Sequence, residues 1–435
     1  MLAPKERKIF CLNSISEAGL AKFRKGYTIT DEISEAAGIL VRSADMKEMK
    51  FPEGLRAIAR AGAGVNNIPI ERCSEEGIVV FNTPGANANS VKELVVAGLL
   101  LASRDIYGGI SWVKSNATNP DITKLAEKAK KNFAGHEIKG KTLGVIGLGA
   151  IGVQVANAAI SLGMQVLGYD PYLSLKSAWM LSPMVKHADT PEEVYAASDF
   201  ITIHVPAMDS TRHMINAEAI SKMKPGIRIL NFARDVLVDE AALREALTSG
   251  HVAGYISDFP NTTSANLPHS IVLPHLGAST EEAEENCAIM AALQLQDYLD
   301  NGNITNSVNY PETNAGTCGA EARVAILHRN IPAMLSGITS FFGNNGLNIE
   351  NLINRARGQY AYTLVDISHK MPDDTTERLR EISGVLRVRR VKENSPGWRE
   401  NFSPLSLRQG GFFLCGECLI SAMKKARFAI IILFR

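Results

Sequence analysis

The sequence predicts an α/β protein with a doubly wound parallel sheet, preceded by further β-α units and followed by a smaller α+β unit. Three observations support this prediction. Short apolar runs alternate with helical patterns over most of the chain, a G-x-G-x-x-G motif begins at Gly147, and the order of elements changes after residue 321. The 435 residues are enough for two or three domains.

The first series of elements occupies residues 8–110. Its buried strands are predicted at the apolar runs KIFCLN, GILVRSA and GIVVFNT, with amphipathic segments between them. This alternation is typical of parallel β-α units. A long helix is predicted to begin near Asn89, where small and apolar residues dominate.

The second series opens at KTLGVIGLGAIG, and its later strands are predicted at QVLGYD, FITIHVP, IRILNFA, VAGYISDF and SIVLPH. Six strands in this rhythm predict the doubly wound sheet. A long helix follows and ends at Gly302, and residues 307–321 are predicted to be a linker because they are rich in Pro, Asn, Gly and Thr.

The smaller unit is predicted over residues 322–391, with the order β-α-β-β-α-β of a ferredoxin-like module. Its first helix is predicted to carry Pro332 in its first turn, and its strands include ARVAILH, YAYTLVDIS and VLRVRRV. Residues 392–435 show no periodicity and are treated as a tail.

The glycine motif predicts a dinucleotide site. It comprises Gly147, Gly149, Ala150, Ile151 and Gly152, follows an apolar strand and opens a helix. The next strand ends in Asp170, at the distance expected of an acid that binds a ribose. Such an acid repels a 2′-phosphate and therefore favours NAD over NADP. The alternative, a purely structural turn, does not account for this context.

Polar side chains end three strands of the second series. Arg234 follows IRILNFA, Asp258 follows VAGYIS, and His275 ends SIVLPH. The carboxyl ends of parallel strands meet at one edge, so these groups are expected beside the dinucleotide loop. They suggest hydride transfer at a carbon that bears a hydroxyl group. The alternative for Arg234 is a surface salt bridge with Asp235 or Asp239.

Composition excludes several classes of function. A net charge of +1 argues against a general nucleic-acid binder, and no apolar run is long enough for a signal peptide or membrane span. Six scattered cysteines fit a reducing, cytoplasmic setting. Cys415 and Cys418 form a C-x-x-C without a second pair, so no metal site is predicted.

Five segments together resemble the D-2-hydroxyacid dehydrogenase family, in particular its members that act on 3-phosphoglycerate. The segments are RAGAGVNNI, FNTPGANANSVKEL, GVIGLGAIG, NFARDVLVDE and PHLGASTEEA, all in family order. The resemblance implies a split, flavodoxin-like substrate domain (residues 1–95 and 285–310) and a Rossmann NAD-binding domain (residues 96–284). It covers roughly residues 8–391.

The resemblance also implies roles for individual residues. Arg234 would hold the substrate carboxylate and the C2 oxygen, and His275 would be the acid/base. Asp258 would contact the nicotinamide carboxamide, with Ala233 also at the cofactor. Backbone amides around Ala63 and Gly64 would bind the carboxylate, and Arg60 resembles the arginine that meets the phosphate. Lys128, Lys130 and Lys131 would either reach a partner subunit's phosphate or form a solvated face.

The implied activity is NAD-dependent oxidation of 3-phospho-D-glycerate, the first step of L-serine synthesis, by a cytoplasmic homodimer or tetramer. One alternative is a glyoxylate or hydroxypyruvate reductase of the same family. A second is an NAD-sensing, corepressor-like binding protein. Arg60 and the C-terminal unit favour the phosphorylated substrate.

Residues 322–391 resemble the ACT domain that regulates these enzymes. The resemblance implies an L-serine site with His328, Asn330 and Asn348, for which ordinary loop capping is the alternative reading. Ala333 stands where the family has glycine, a change that would crowd the effector pocket. A second departure is Thr263, which occupies the position of a glutamate that partners the histidine in many members.

Overall fold

The computed structural model describes residues 7–393. The predicted tail, with Cys415 and Cys418, lies outside this range apart from the backbone of residues 392 and 393.

The first part of the chain builds a five-stranded sheet in which all strands are parallel. Its strand order, β2-β1-β3-β4-β5, is that of a flavodoxin-like sheet. Its elements are β1 (Arg7–Cys11), α1 (Glu17–Leu20), β2 (Tyr27–Thr30), β3 (Gly38–Val41), β4 (Ala57–Arg60), α2 (Ile70–Glu75) and β5 (Val79–Phe81).

A helical segment then leads to the second sheet. Its first helix begins one residue before Asn89 and ends at Ser103, where Arg104 is extended. Asp105 restarts the helix because its carboxylate accepts a hydrogen bond from the N–H of Gly108. The helices are α3 (Ala88–Ser103), α4 (Ile106–Ser115) and α5 (Ile122–Ala129).

The second sheet has seven parallel strands in the order β12-β11-β10-β9-β6-β7-β8, so its strand order reverses beside β6 as in a doubly wound fold. This reversal places the glycine loop at the point where such folds bind ligands. The elements are β6 (Thr142–Ile146), α6 (Ala150–Ser161), β7 (Gln165–Tyr169), α7 (Leu175–Met180), β8 (Lys186–His187), α8 (Pro191–Ala197), β9 (Phe200–Ile203), α9 (Ala217–Ser221), β10 (Ile227–Asn231), α10 (Glu240–Ser249), β11 (Val252–Ser257) and β12 (Ser270–Val272).

A long helix, α11 (Glu281–Asn301), returns the chain to the first sheet, and a third sheet follows it. This third sheet is antiparallel, with the order β14-β15-β13-β16. Its elements keep the predicted sequence β-α-β-β-α-β: β13 (Ala322–Arg329), α12 (Met334–Asn344), β14 (Ile349–Arg357), β15 (Tyr360–Ile367), α13 (Thr375–Arg380) and β16 (Val385–Glu393).

The structure adds strands to those named from apolar runs, namely β2, β4, β8 and β14. Each lacks a long run of large apolar residues, which is why the pattern did not reveal it. The first helix of the third unit also starts later than predicted, at Met334. Ala333 precedes it with φ +66, a left-handed conformation that ends any helical turn through Pro332.

The third sheet shares a hydrophobic core with the first. Leu327, Tyr362 and Leu364 on one face of the third sheet join Leu295 and Tyr298 of α11, and the same cluster continues to Ile9, Leu40 and Phe81. The opposite face packs against α12 and α13 through Val324, Ile326, Val365 and Phe342. Both faces of β15 are therefore buried, and α11 links two sheets that are far apart in sequence.

Arg323 joins this core to the linker. Its side chain is 1% exposed, and its guanidinium pairs with Asp366 at 2.5 and 2.8 Å. The remaining N–H groups donate to the carbonyl oxygens of Asn301, Gly316 and Ala315. One buried arginine thus donates hydrogen bonds to carbonyl oxygens both at the end of α11 and in the linker that follows it. A buried charge needs such complete pairing to be tolerated.

Within residues 7–393, no single helix has the length and apolar composition needed to cross a bilayer, although α3 and α4 together pass on those two criteria with a 71° bend between them. Within residues 7–393, no disulfide joins Cys11, Cys73, Cys287 and Cys318.

Breaking the Arg323–Asp366 pair is expected to destabilise the protein. Asp366→Asn should lower the free energy of unfolding by about 3 kcal/mol, because it leaves a buried guanidinium without its counter-charge. Urea unfolding followed by circular dichroism measures this change. Asp374→Asn is the matched control, because Asp374 pairs with Arg378 on the surface at 3.5 Å. Equal midpoints for the two variants would show that the buried pair does not hold the third sheet in place.

Candidate active site

The predicted catalytic residues lie in one cleft of about 640 Å³ between the first and second sheets. Arg60 ends β4, Arg234 follows β10, Asp258 follows β11 and His275 follows β12, so all four come from the carboxyl ends of parallel strands. Ala63, Gly64 and Ile151 also line the cleft. The topology therefore brings together residues that are up to 215 positions apart in sequence.

Asp258 holds the loop that carries His275. The side chain is 2% exposed, and its two oxygens accept hydrogen bonds from the N–H groups of Leu276 and Gly277, each at 2.7 Å. His275 itself has φ +59, a conformation that an L-residue rarely adopts without support. The two hydrogen bonds directly after His275 supply that support.

Burial raises the pKa of Asp258 above its ordinary value, while the N–H groups of Leu276 and Gly277 and the His275 ring oppose part of the rise. The carboxylate form accepts both N–H groups, so ionised Asp258 is the form that holds the loop.

The Phe259 ring lies close to both predicted catalytic side chains. Its ring centroid lies 5.0 Å from that of His275, with a tilt of 55°, and 5.8 Å from the Arg234 guanidinium carbon. Arg234 and His275 are therefore both next to the same aromatic ring. Within the described part of the chain, the His275 imidazole has no hydrogen-bond partner, so both ring nitrogens are available to a substrate.

Asn231, a buried residue at the end of β10, positions Arg234. Its carboxamide oxygen accepts from the N–H groups of Ala233 and Arg234, and its NH₂ group donates to the Arg234 carbonyl at 2.7 Å. The guanidinium in turn donates to the Ala233 carbonyl at 2.5 Å. The salt bridges considered for Arg234 with Asp235 or Asp239 are absent among residues 7–393.

The glycine-rich loop after β4 lies against both arginines. A Cβ atom added to Gly64 would lie 3.3 Å from Nη2 of Arg234, and one added to Gly62 would collide with Nη1 of Arg60. Burial lowers the pKa of Arg60, and the guanidinium groups of Arg234 and Arg42 lower it further. Three arginines thus meet beside the glycine-rich loop, an arrangement that suits an anion with more than one charged group.

Of these arginines, Arg42 is the one with an acidic partner, because it pairs with Glu284 at 2.7 Å. Sequence reasoning did not single out Arg42, Glu284, Asn231 or Phe259. Asn231, Phe259 and Arg42 each lie at the end of a predicted strand, so their positions were a usable signal. The pairing of Arg42 with Glu284 had no such signal, since the two residues meet only in the folded chain.

A second cavity, of about 590 Å³, lies beside the glycine motif and is lined by Gly147, Gly149 and Asp170. Gly147 has φ +92, and a Cβ there would lie 2.6 Å from the carbonyl oxygen of His204. A Cβ on Gly152 would collide with the Gly147 carbonyl oxygen, whereas one on Gly149 would point into open space. The turn therefore requires glycine at 147 and 152, and Gly149 keeps the approach to α6 free. Ala150 and Ile151 form the first turn of α6.

Asp170 lies at the end of β7, as predicted. Its carboxylate accepts from the N–H groups of Leu148 and Tyr172, each at 2.8 Å, and still has lone pairs that can accept from ribose hydroxyls. These features fit a dinucleotide with an unphosphorylated ribose.

His204, at the end of β9, lines the same cavity and was not predicted. Its Nε2 lies 2.9 Å from the Thr202 hydroxyl, and burial lowers its pKa to about 3, so the ring is neutral near pH 7. Nδ1 is buried without a hydrogen-bond partner among the described residues. The run FITIHVP was identified as a strand, so the position of His204 at a strand end was the missed signal.

Thr263, at the position of the family glutamate, does not supply a substitute partner for His275. Its N–H donates to Asn261 and its carbonyl oxygen accepts from Arg244, and neither group contacts the imidazole. What lies next to His275 is the Phe259 ring. His269 lies on the surface.

The residues predicted for an effector are not assembled into one site. His328 is 2% exposed, with Nδ1 2.8 Å from the Arg329 carbonyl and Nε2 2.9 Å from the Thr363 hydroxyl, and burial lowers its pKa. Asn330 and Asn348 are exposed and donate to Gly358 and Ser368. Their predicted role stays a prediction. Lys128, Lys130 and Lys131 are exposed, and Lys130 pairs with Glu127.

Comparison with known proteins gives a family. Residues 96–277 match the model of the D-isomer specific 2-hydroxyacid dehydrogenase NAD-binding domain. The D-3-phosphoglycerate dehydrogenase of Escherichia coli K12 is 32% identical over 400 residues, which covers 87% of this chain and 94% of that protein. The enzyme of the same name from Homo sapiens is 36% identical over 288 residues, covering 64% of this chain and 51% of that one.

Two solved structures are also similar to this chain. The NAD⁺-bound 3-phosphoglycerate dehydrogenase of Entamoeba histolytica matches with a TM-score of 0.55 and 28% identity, covering 70% of this chain and 99% of that one. The TT0316 protein of Thermus thermophilus matches with a TM-score of 0.56 and 26% identity, covering 69% of this chain and 99% of that one. The strand-end residues, the glycine loop and these relatives lead to one conclusion: the chain belongs to the D-isomer specific 2-hydroxyacid dehydrogenase family and is an NAD-dependent oxidoreductase.

Proposed function

We propose that the protein oxidises 3-phospho-D-glycerate to 3-phosphohydroxypyruvate. The observation that carries this proposal is the placement of Arg60 and Arg234 against one glycine loop, with neither in an ion pair within residues 7–393. A substrate with a carboxylate at one end and a phosphate at the other has one anionic group for each arginine. The names of the relatives support the same substrate.

Each residue then has a task. Arg234 binds the carboxylate and polarises the C2 oxygen, while peptide N–H groups around Ala63 and Gly64 bind the other carboxylate oxygen. Arg60 binds the phosphate. His275 takes the proton from the C2 hydroxyl as the carbonyl forms. Bound NAD supplies the acceptor for the hydride that leaves C2.

The alternative substrates, glyoxylate and hydroxypyruvate, lack the phosphate. They would leave Arg60 without an anionic partner in the cleft, and no observation favours them over the phosphorylated substrate.

The C-terminal unit is proposed to be a regulatory ACT domain. Its element order and the sheet order β14-β15-β13-β16 support this assignment. Ala333, at the family's glycine position, keeps the left-handed backbone with φ +66 despite its side chain. Inhibition by L-serine stays a prediction, as does the cytoplasmic location.

Assembly into a homodimer or tetramer also stays a proposal. The family resemblance implies an interface through the helix that begins near Asn89, and α3 buries seven of its 16 residues within the chain. The adjacent helix α4 exposes Tyr107, Ile110 and Val113, with 65%, 50% and 51% of their surfaces accessible.

The substrate is tested with Arg60→Gln. Removing a charge-assisted contact to phosphate costs about 1.5–3 kcal/mol, so KM for 3-phosphoglycerate should rise roughly 10- to 100-fold. Steady-state NADH formation measures it, and reduction of hydroxypyruvate by the same variant is the control, because that substrate has no phosphate. A wild-type enzyme that turns over no 3-phosphoglycerate would contradict the proposed function. So would an equal loss on both substrates in the variant.

The role of His275 is tested with His275→Asn. Asparagine tolerates a positive φ, so the loop should keep its shape while proton transfer is lost. We expect kcat to fall by about 10²- to 10⁴-fold with NADH affinity unchanged.

His269→Asn is the matched control for this experiment, because His269 also has a positive φ, +50, and lies on the surface of the same segment. If His275→Asn kept more than a tenth of the wild-type kcat, another group would have to be the base.

Cofactor binding is tested with Gly149→Ala. The backbone of Gly149 has φ −73, which alanine adopts freely, and the added methyl group has open space in the free protein. Thermal stability should therefore be unchanged, while NADH affinity falls by about 1–3 kcal/mol because the methyl group occupies the approach to α6. Fluorescence titration measures this affinity, and Gly319→Ala, another open position, is the control. If Gly149→Ala kept the wild-type affinity for NADH, the pyrophosphate of the cofactor would have to bind away from Gly149.

A further inference from the structure

A third cavity lies apart from the active site, between the first and third sheets. It has a volume of about 750 Å³ and is walled by β1 and β2, the segment before β4, the end of α11, and α13 and β16. We call it the junction cavity. It shares no lining residue with the catalytic cleft or with the cavity beside the glycine motif.

The walls of the junction cavity are strongly basic. Seven lysine and arginine side chains line it, against two acidic ones, Glu35 and Asp300. Both acids are already engaged, because Glu35 pairs with Lys8 at 2.5 Å and Asp300 pairs with Arg7. The net charge of the lining is therefore positive after every acid in it has been matched.

Three arginines carry most of the excess charge, and Lys25 carries the rest. Arg56 and Arg380 make no ion pair with any described residue, and the closest acceptors of each are single carbonyl oxygens, Glu53 and Val388, at 3.5 Å. Arg389 is 8% exposed and donates to the carbonyls of Tyr298 and Leu299. Its Nε is buried and has no hydrogen-bond partner in the described part of the chain.

These arginines repel one another. Burial lowers the pKa of Arg56, and the guanidinium groups of Arg387, Arg389 and Arg380 lower it further. A cluster of partly buried like charges without counter-charges destabilises the protein that contains it. An anion between the arginines would reverse the sign of that effect.

We propose that the junction cavity is a binding site for a small anion that carries phosphate groups, held by Arg56, Arg380 and Arg389. Guanidinium groups bind phosphate oxygens through paired N–H donors, and the cavity volume falls within the range of small-ligand sites. Arg56 belongs to the first sheet's wall, whereas Arg380 and Arg389 belong to the third sheet's unit. The anion therefore joins the dehydrogenase part to the C-terminal unit.

The test uses inorganic pyrophosphate as the probe, titrated calorimetrically into the full chain at constant ionic strength with saturating NADH. We expect one saturable site per chain, weakened at least about tenfold in Arg56→Gln and in Arg380→Gln. Arg378→Gln is the matched control, because Arg378 lies on the same helix, pairs with Asp374 and does not line the cavity. Arg60→Gln should leave the titration unchanged, which separates this site from the catalytic cleft.

Thermal unfolding provides a second readout. Because each Arg→Gln change relieves repulsion, Arg380→Gln should melt at a higher temperature than wild type without pyrophosphate, and it should lose the increase that pyrophosphate gives to wild type. The proposal is overturned if wild type shows no saturable binding, or if binding is lost in Arg60→Gln and retained in Arg56→Gln. It is likewise overturned if Arg378→Gln weakens binding as much as Arg380→Gln does. None of these results depends on turnover of 3-phosphoglycerate.

Discussion

The catalytic geometry depends on one carboxylate that does not itself react in the proposed chemistry. Asp258 accepts the peptide N–H groups of Leu276 and Gly277 and thereby holds His275 at a positive φ. Thr263, five residues after Asp258, does not contact the imidazole. The backbone of the His275 loop is held by Asp258 instead, and the Phe259 ring packs against the imidazole. Fixing the loop and the ring face leaves both nitrogens open, so the proton acceptor is positioned without a carboxylate hydrogen bond.

The rest of the site is organised in the same way. Buried polar side chains hold the backbone through hydrogen bonds, and the backbone then positions the side chains that are proposed to react. Asn231 holds Arg234, and the loop after β4 places Gly64 beside that guanidinium. The loop in turn is supported by the first sheet, whose core continues through α11 into the third sheet. Packed side chains therefore link the region between the first and third sheets to the catalytic cleft.

Much of this arrangement was predictable from sequence, for reasons that are local. Long apolar runs mark β6, β9 and β10, and the polar residues that end such runs must meet at one sheet edge. Strand β4 was not predicted because its sequence, AIAR, is short and rich in alanine, although it carries Arg60. The two N–H groups that donate to the Asp258 carboxylate lie 18 and 19 residues further along the chain, and no periodicity encodes that contact. The junction cavity combines Arg56 with Arg380 and Arg389, which only the shared core brings together.

Centrally, we propose that Arg60 binds the phosphate, Arg234 the carboxylate and His275 the C2 hydroxyl of one substrate. A crystal structure of the protein with NADH and 3-phosphoglycerate tests it most directly. We expect the phosphate on Arg60, the carboxylate between Arg234 and the N–H of Gly64, and the C2 oxygen within hydrogen-bond distance of the His275 ring. A substrate bound with its phosphate away from Arg60, or with His275 turned away from C2, would contradict the account.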